Sequence, residues 1–319
     1  MSNSILYSSP ESLPPSALVR MGMTRFVFGL AIATLFLMAL GSATRVMNAG
    51  LSCPDWPLCY GELVPRQQMN LQVFLEWFHR LVATTIGVGA IALCAVAWWF
   101  RRDLPTWTPW AASFALFLVI FQGILGGLTV TELLRFDIVT AHLGTGLLFF
   151  GTLLAIGASL VAYKGVGTVG KLRWVGVSAA VLVYAQSILG GLVSSQWALH
   201  QCLGTSTLCT VMNSHLAGVV PPTIAVLTLV MLAWRTPALS FALRRLANGA
   251  ALLLILQITL GVATFRLRLQ VEPLTVAHQA IGAALLGTLI GFAALALRDH
   301  AVLAHQPPIL SDETLVILE

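Results

Sequence analysis

Charge is what this sequence has least of. Only 9% of its 319 residues are Asp, Glu, Lys or Arg, whereas 58% are hydrophobic, and the mean hydropathy is +0.89. Soluble domains carry roughly a quarter charged residues, so the composition excludes one and indicates an integral membrane protein. The net charge of +5 is too small and too dispersed to suggest nucleic acid as a partner. The first twenty residues, MSNSILYSSPESLPPSALVR, have no apolar core and a single arginine, so they are expected to be neither a signal peptide nor an Arg-rich transit peptide. A short disordered tail is expected there, and another after about residue 298.

Apolar runs long enough to cross ~30 Å of hydrocarbon occur near 26–47, 78–100, 109–130, 139–163, 172–194, 213–234, 243–264 and 275–297. The expected fold is therefore all-α, with both termini on one side of the membrane. Of the 17 Lys and Arg residues, eleven fall on the terminal side. The other six are Arg45, Arg66, Arg80, Arg135, Arg266 and Arg268. By the positive-inside bias the termini are expected to be cytoplasmic. Six arginines on the outer side run against that bias and require a separate reason.

The histidines are regularly spaced. His79, His142, His215 and His278 each fall near the outer start of an even-numbered span, and 215 − 79 and 278 − 142 both equal 136. The odd spans carry a matching mark: Leu40-Gly41, Leu125-Gly126, Leu189-Gly190 and Leu260-Gly261, the last three preceded by Gln122, Gln186 and Gln257. The chain thus reads as two tandem four-helix bundles, residues 1–165 and 166–319.

Two histidines at similar depth on different helices of each unit suit the axial ligands of a haem. Structural zinc normally takes four ligands, and no second cysteine or carboxylate partners each histidine pair to complete such a set. Gly146 and Gly282, four residues after His142 and His278, are expected to leave room for the macrocycle's face. Arg80, Arg135, Arg266 and Arg268 lie near the outer edge, where guanidinium groups would meet propionates. Arginines that merely reach for the interface would look the same.

The two units differ in one respect. Glu76 precedes His79 by three residues and shares its helix face, whereas Val139, Met212 and Thr275 hold that offset at the other three sites. This points to a reactive N-terminal site and a C-terminal cofactor site. An acid favoured by a helix N-terminal dipole is the competing explanation. The cysteines repeat as well: Cys53 and Cys59 bracket one outer loop, and Cys202 and Cys209 bracket another, at offsets 202 − 53 = 149 and 209 − 59 = 150. Each pair is expected to close its loop as a disulfide, structural or redox-active.

The motifs GLSCPDWPLCYG (50–61), EWFHR (76–80), TAHLGTG (140–146), NSHLAG (213–218) and VAHQAIGA (276–283) together resemble the haem A synthase family across all eight spans. The resemblance implies an enzyme that oxidises the C8 methyl of haem O to the formyl group of haem A for terminal oxidases. It implies haem O at His79 and His142, haem b ligated by His215 and His278, and Glu76 as the essential acid. Arg80 would bind substrate haem. The implied partners are haem O synthase, a terminal oxidase or its assembly factors, an electron acceptor and membrane lipid. The expected location is a bacterial inner membrane, with the haem sites toward the outer face. Two other readings use the same histidines: a two-haem cytochrome b that only passes electrons, and a haem carrier. The first leaves Glu76 unexplained, and the second predicts no chemistry on the methyl.

Overall fold

The computed structural model describes residues 14–194, 207–268 and 270–304. Those residues form helices α1 (Pro15–Val46), α2 (Leu71–Trp99), α3 (Thr108–Thr131), α4 (Phe136–Leu160), α5 (Leu172–Ser194), α6 (Thr207–Gly218), α7 (Val220–Arg235), α8 (Phe241–Arg266) and α9 (Glu272–Ala304). Eight segments among them are long and apolar enough to span a membrane, with Cys209–Arg235 combining α6 and α7. The chain is a multi-pass, all-helical membrane protein.

Several helices run longer than the sequence expectation, α2 starting at Leu71 rather than 78 and α6 at Thr207 rather than 213. Helix α1 begins at Pro15, well before residue 26, and α9 runs on to Ala304, past residue 298. Both extensions belong to stretches expected to be tails. The span expected at 213–234 is broken at Val219, where Pro221 and Pro222 lack the N–H groups needed to continue the preceding helix.

Helix packing closes two rings: α1–α2–α3–α4, and α5–α6/α7–α8–α9. Separate buried clusters fill them. One includes Val27, Leu93 and Ile156; the other includes Leu229, Leu243 and Phe292. Contacts of α9 with α1 and α4, and of α4 with α5, join the rings. Lipid tails are as apolar as leucine, so close fit rather than water exclusion must hold these helices together. Glycine permits that fit at the centre. A Cβ on Gly151 would lie 2.8 Å from Ile290, and one on Gly287 would lie 2.7 Å from Leu154. Because 287 − 151 and 290 − 154 both equal 136, this is one contact made twice, related by the internal repeat.

Candidate functional site

All four Leu-Gly marks serve as seats for the four histidines. A Cβ on Gly41 would meet the His79 ring carbon Cε1 at 2.8 Å, and Gly126, Gly190 and Gly261 stand likewise to His142, His215 and His278 at 3.4, 3.1 and 2.9 Å. Each even span's histidine therefore lies edge-on against the glycine of its neighbouring odd helix, where a side chain would displace the ring. The sequence contained both halves of this pattern. Their contact required the fold.

The preceding glutamines hold three of these histidines. Gln122 donates from Nε2 to the His142 carbonyl at 2.8 Å, and Gln186 does the same to the His215 carbonyl at 2.8 Å. Gln186 Nε2 also lies 3.0 Å from His215 Nδ1, while His278 Nδ1 lies 3.1 Å from the Gln257 carbonyl oxygen. These amides occupy the space beside the i+4 glycines: Cβ atoms on Gly146 and Gly282 would approach Gln122 and Gln257 Nε2 at 3.2 and 3.0 Å. The glycines make room for a glutamine amide, and Gly282 also lines a cavity shared with His215 and His278. At the fourth seat Leu37 replaces glutamine, and His79 has no such clamp. The Nδ1 atoms of His79 and His142 are buried without a hydrogen-bond partner.

Glu76 supplies the N-terminal site with a different support. It is 4% exposed; Oε2 accepts from the Cys53 amide at 2.8 Å, and Oε1 pairs with Arg80 at 2.6 Å. Helix α2 starts at Leu71, capped by Asn70 accepting from the Val73 amide, and has no acid in its first turn. Dipole stabilisation fades beyond that turn, so the helix terminus does not account for Glu76. Breaking a buried ion pair by removing one member typically costs ~3–5 kcal/mol.

Arg80 turns from that pair to the loop above. It donates to the carbonyls of Asp55 at 2.7 Å and Leu58, with a longer contact of 3.4 Å to Cys53 O. Its fork is thus engaged by protein acceptors. Cys53 and Cys59 form a disulfide with Cα atoms 4.7 Å apart, and both are buried, at 0% and 2% exposure. Of the two roles expected for the bridge, structural or redox-active, that burial favours the structural one. Asp55 accepts from the amides of Tyr60 and Gly61 at 2.6 and 2.8 Å. The Gly61 amide above all, then Tyr60 and the charge of Arg80, hold its carboxyl below the ordinary value against the cost of lost hydration. Trp56 reaches α3, where a Cβ on Gly127 would lie 3.3 Å from its ring. The disulfide, the Asp55 carboxylate bridging to Tyr60 and Gly61, Arg80 and Trp56 make the loop a fixed cap over Glu76. Cys202 lies outside the described residues, so its predicted pairing with Cys209 does too.

The C-terminal histidines line a cavity of about 460 Å³ together with Gln186, Gln257 and Thr275. Most of its other walls are apolar, as in typical small-molecule sites. Arg45, which sequence reasoning left unassigned, enters this cavity from α1 beside Gln279. Arg266 reaches the same cavity from the end of α8. Arg135 is instead committed to Asp137 and Glu132 at an exposed corner, and Arg268 is exposed in the left-handed region at φ 52°.

Fold and sites together define a multi-pass helical membrane protein with two interhelical histidine pairs, one beside a buried acid and one opening on a cavity. The chain belongs to the cytochrome oxidase assembly protein family, whose model matches residues 24–290. It is similar to a haem A synthase of Shewanella oneidensis, at 28% identity over 81% of this chain and 92% of the relative. A haem A synthase of Caulobacter vibrioides is 28% identical over 84% and 94%. One from Bacillus licheniformis is 25% identical over 84% and 93%.

Proposed function

We propose that this protein is a membrane oxidoreductase that converts haem O to haem A by oxidising the C8 methyl to a formyl group. Family membership and the names of full-length relatives support the activity. The observation that carries it to a site is Glu76: a carboxylate held rigidly three residues from a histidine, in one of two otherwise matching units.

The donor set suits an iron porphyrin. Imidazoles in pairs on facing helices can ligate or contact iron, and each ring is positioned by a glycine seat. In this reading His79 and His142 receive haem O, while His215 and His278 hold haem b as the resident cofactor. A haem held there supplies one-electron transfer. His278 presents the tautomer that ligation needs, with Nδ1–H donating to the Gln257 carbonyl, and its Nε2 would exchange a 3.4 Å contact from Gln257 Nε2 for a metal. His215 would have to exchange its Gln186 contact at Nδ1 to present the same tautomer.

Methyl to formyl is a four-electron oxidation overall and releases protons near the reacting carbon. Glu76 is placed to accept one at Oε1 or Oε2, or to stabilise positive character there. Arg80 sets the carboxylate's position and fastens the loop that excludes water. We assign it to substrate haem through those two effects rather than through a propionate. The proposed setting is a bacterial inner membrane, with cytoplasmic termini and both sites toward the outer face. Haem O synthase, an electron acceptor and a terminal oxidase or its assembly factors are the proposed partners.

The test is the mass of haems extracted from the protein after expression in a host that supplies haem O. Haem A or a hydroxylated precursor beside haem b is expected. Only unmodified haems, from intact protein with an electron acceptor present, would favour a carrier of electrons or haem.

A further inference from the structure

Arg45 is a charge without a counter-charge among the described residues. It lies in the last turn of α1, far along the helix from the other arginines of that span, Arg20 and Arg25, which stand near its N-terminal end. Its one side-chain hydrogen bond among the described residues runs from Nη2 to Gln279 Oε1 at 2.8 Å, and its Nε is buried with no acceptor. It forms no ion pair with a described carboxylate. Arg45 is half-buried, and holding a guanidinium even partly away from water without an anion is costly. Its side chain also lines the cavity that contains His215 and His278.

We infer that Arg45, contributed by the N-terminal ring, is the carboxylate-binding residue of the C-terminal cavity. The unpaired Nε and the planar fork suit one carboxylate of an amphipathic ligand whose apolar body fills the cavity. This rests on the reading of that cavity as a haem site, where the carboxylate is a propionate. Gln279 follows His278 directly, so its amide orients the guanidinium relative to the histidine that would hold the iron. The internal repeat sharpens the point. Shifts of 149 and 136 place Ser194 and Leu143 where Arg45 and Gln279 stand, so the N-terminal site has no copy of this pair.

The same turn of α1 serves both sites. Gly41 seats His79 and Thr44 Oγ1 lies 3.4 Å from the carbonyl of Leu75, the residue before Glu76. One residue on, Arg45 reaches the other ring. The C-terminal site is then incomplete without α1.

The test titrates full-length, haem-stripped protein with haemin and with haemin dimethyl ester, in a His79→Ala background, following the Soret band. The free acid is expected to bind on the order of tenfold to a hundredfold more tightly than the ester, the range of a charge-assisted hydrogen-bonded pair. Arg45→Ala should weaken the acid only and remove that preference, while Gln279→Leu and Arg45→Lys should reduce it. No preference in the parent protein, or an undiminished one in Arg45→Ala, would overturn the inference. His215→Ala and His278→Ala separate the two failures. If they abolish the Soret response while Arg45→Ala leaves the preference intact, the haem site stands and only the role of Arg45 falls. If they leave the response unchanged, the cofactor reading itself falls.

Discussion

The two histidine pairs share a scaffold and differ in what surrounds it. In both, histidines from even spans rest on glycines of odd spans, at positions related by the repeat. Around His79 the repeat is broken: Leu37 replaces the glutamine, and an acid, an arginine and a disulfide loop are added. Around His215 and His278 the glutamines remain and a cavity opens toward Arg45. Duplication thus gave two equivalent seats, and a handful of substitutions gave them different surroundings. A buried carboxylate stands beside one seat and a guanidinium beside the other, and membrane interiors hold such groups only at considerable cost, which supports the proposed division of their chemistry.

The sharpest way to break the comparison is to neutralise Glu76. Glu76→Gln keeps an acceptor for the Cys53 amide but loses the charge, and formyl production is expected to fall by about 10²–10⁴-fold, as for loss of a general acid–base group. The C-terminal haem spectrum should remain. Mass analysis of extracted haems beside an absorbance spectrum checks both; unaltered turnover would remove Glu76 from the reaction.

Replacing His215 or His278 with alanine is expected to abolish the low-spin absorbance of the C-terminal site. The same change at His79 or His142 should leave that absorbance in place. Equal losses from all four would mean that the rings do not divide the work.

Glycine-to-alanine changes probe the seats. Overpacking typically costs ~1–3 kcal/mol. The largest effects are expected at Gly41 and Gly261, where the new Cβ falls 2.8 and 2.9 Å from the ring, and the smallest at Gly126, at 3.4 Å. Thermal unfolding of the detergent-solubilised variants gives the order, and a uniform response would argue against ring contact as the reason for glycine.

Cys53→Ser with Cys59→Ser opens a bridge spanning six positions, which costs about 2 kcal/mol in the loop-entropy picture. The expected signs are lower thermal stability and faster proteolysis of the loop over 47–70. The smallest effect concerns acidification. The Asp55 carboxyl is held below its ordinary value of 3.8, so its two amide bonds persist above that pH and are lost as pH falls through the lower folded value. Loop proteolysis should therefore be unchanged between about pH 8 and 5, loosening only below about 4.

The spans, the fourfold histidine spacing and the singular Glu76 were legible because each is a one-dimensional pattern: hydrophobic length, period and offset. Orientation of side chains was not. Gly146 and Gly282 were visible as small residues, but the sequence did not reveal that Gln122 and Gln257 occupy the adjoining space. Arg80 and Arg45 were both outer arginines in the sequence. The fold commits one to the carbonyls of Asp55 and Leu58 and directs the other across the boundary between rings.

What the sequence by itself determined is the membrane class, the duplication and the residues that break it, because hydrophobic length and repeat spacing survive in the linear chain. Tertiary structure alone decided which glycine meets which histidine, where each arginine spends its donors, and that α1 belongs to both sites. Those are matters of which helix faces which, and contacts between residues as far apart as Arg45 and Gln279 have no local signal from which to read them.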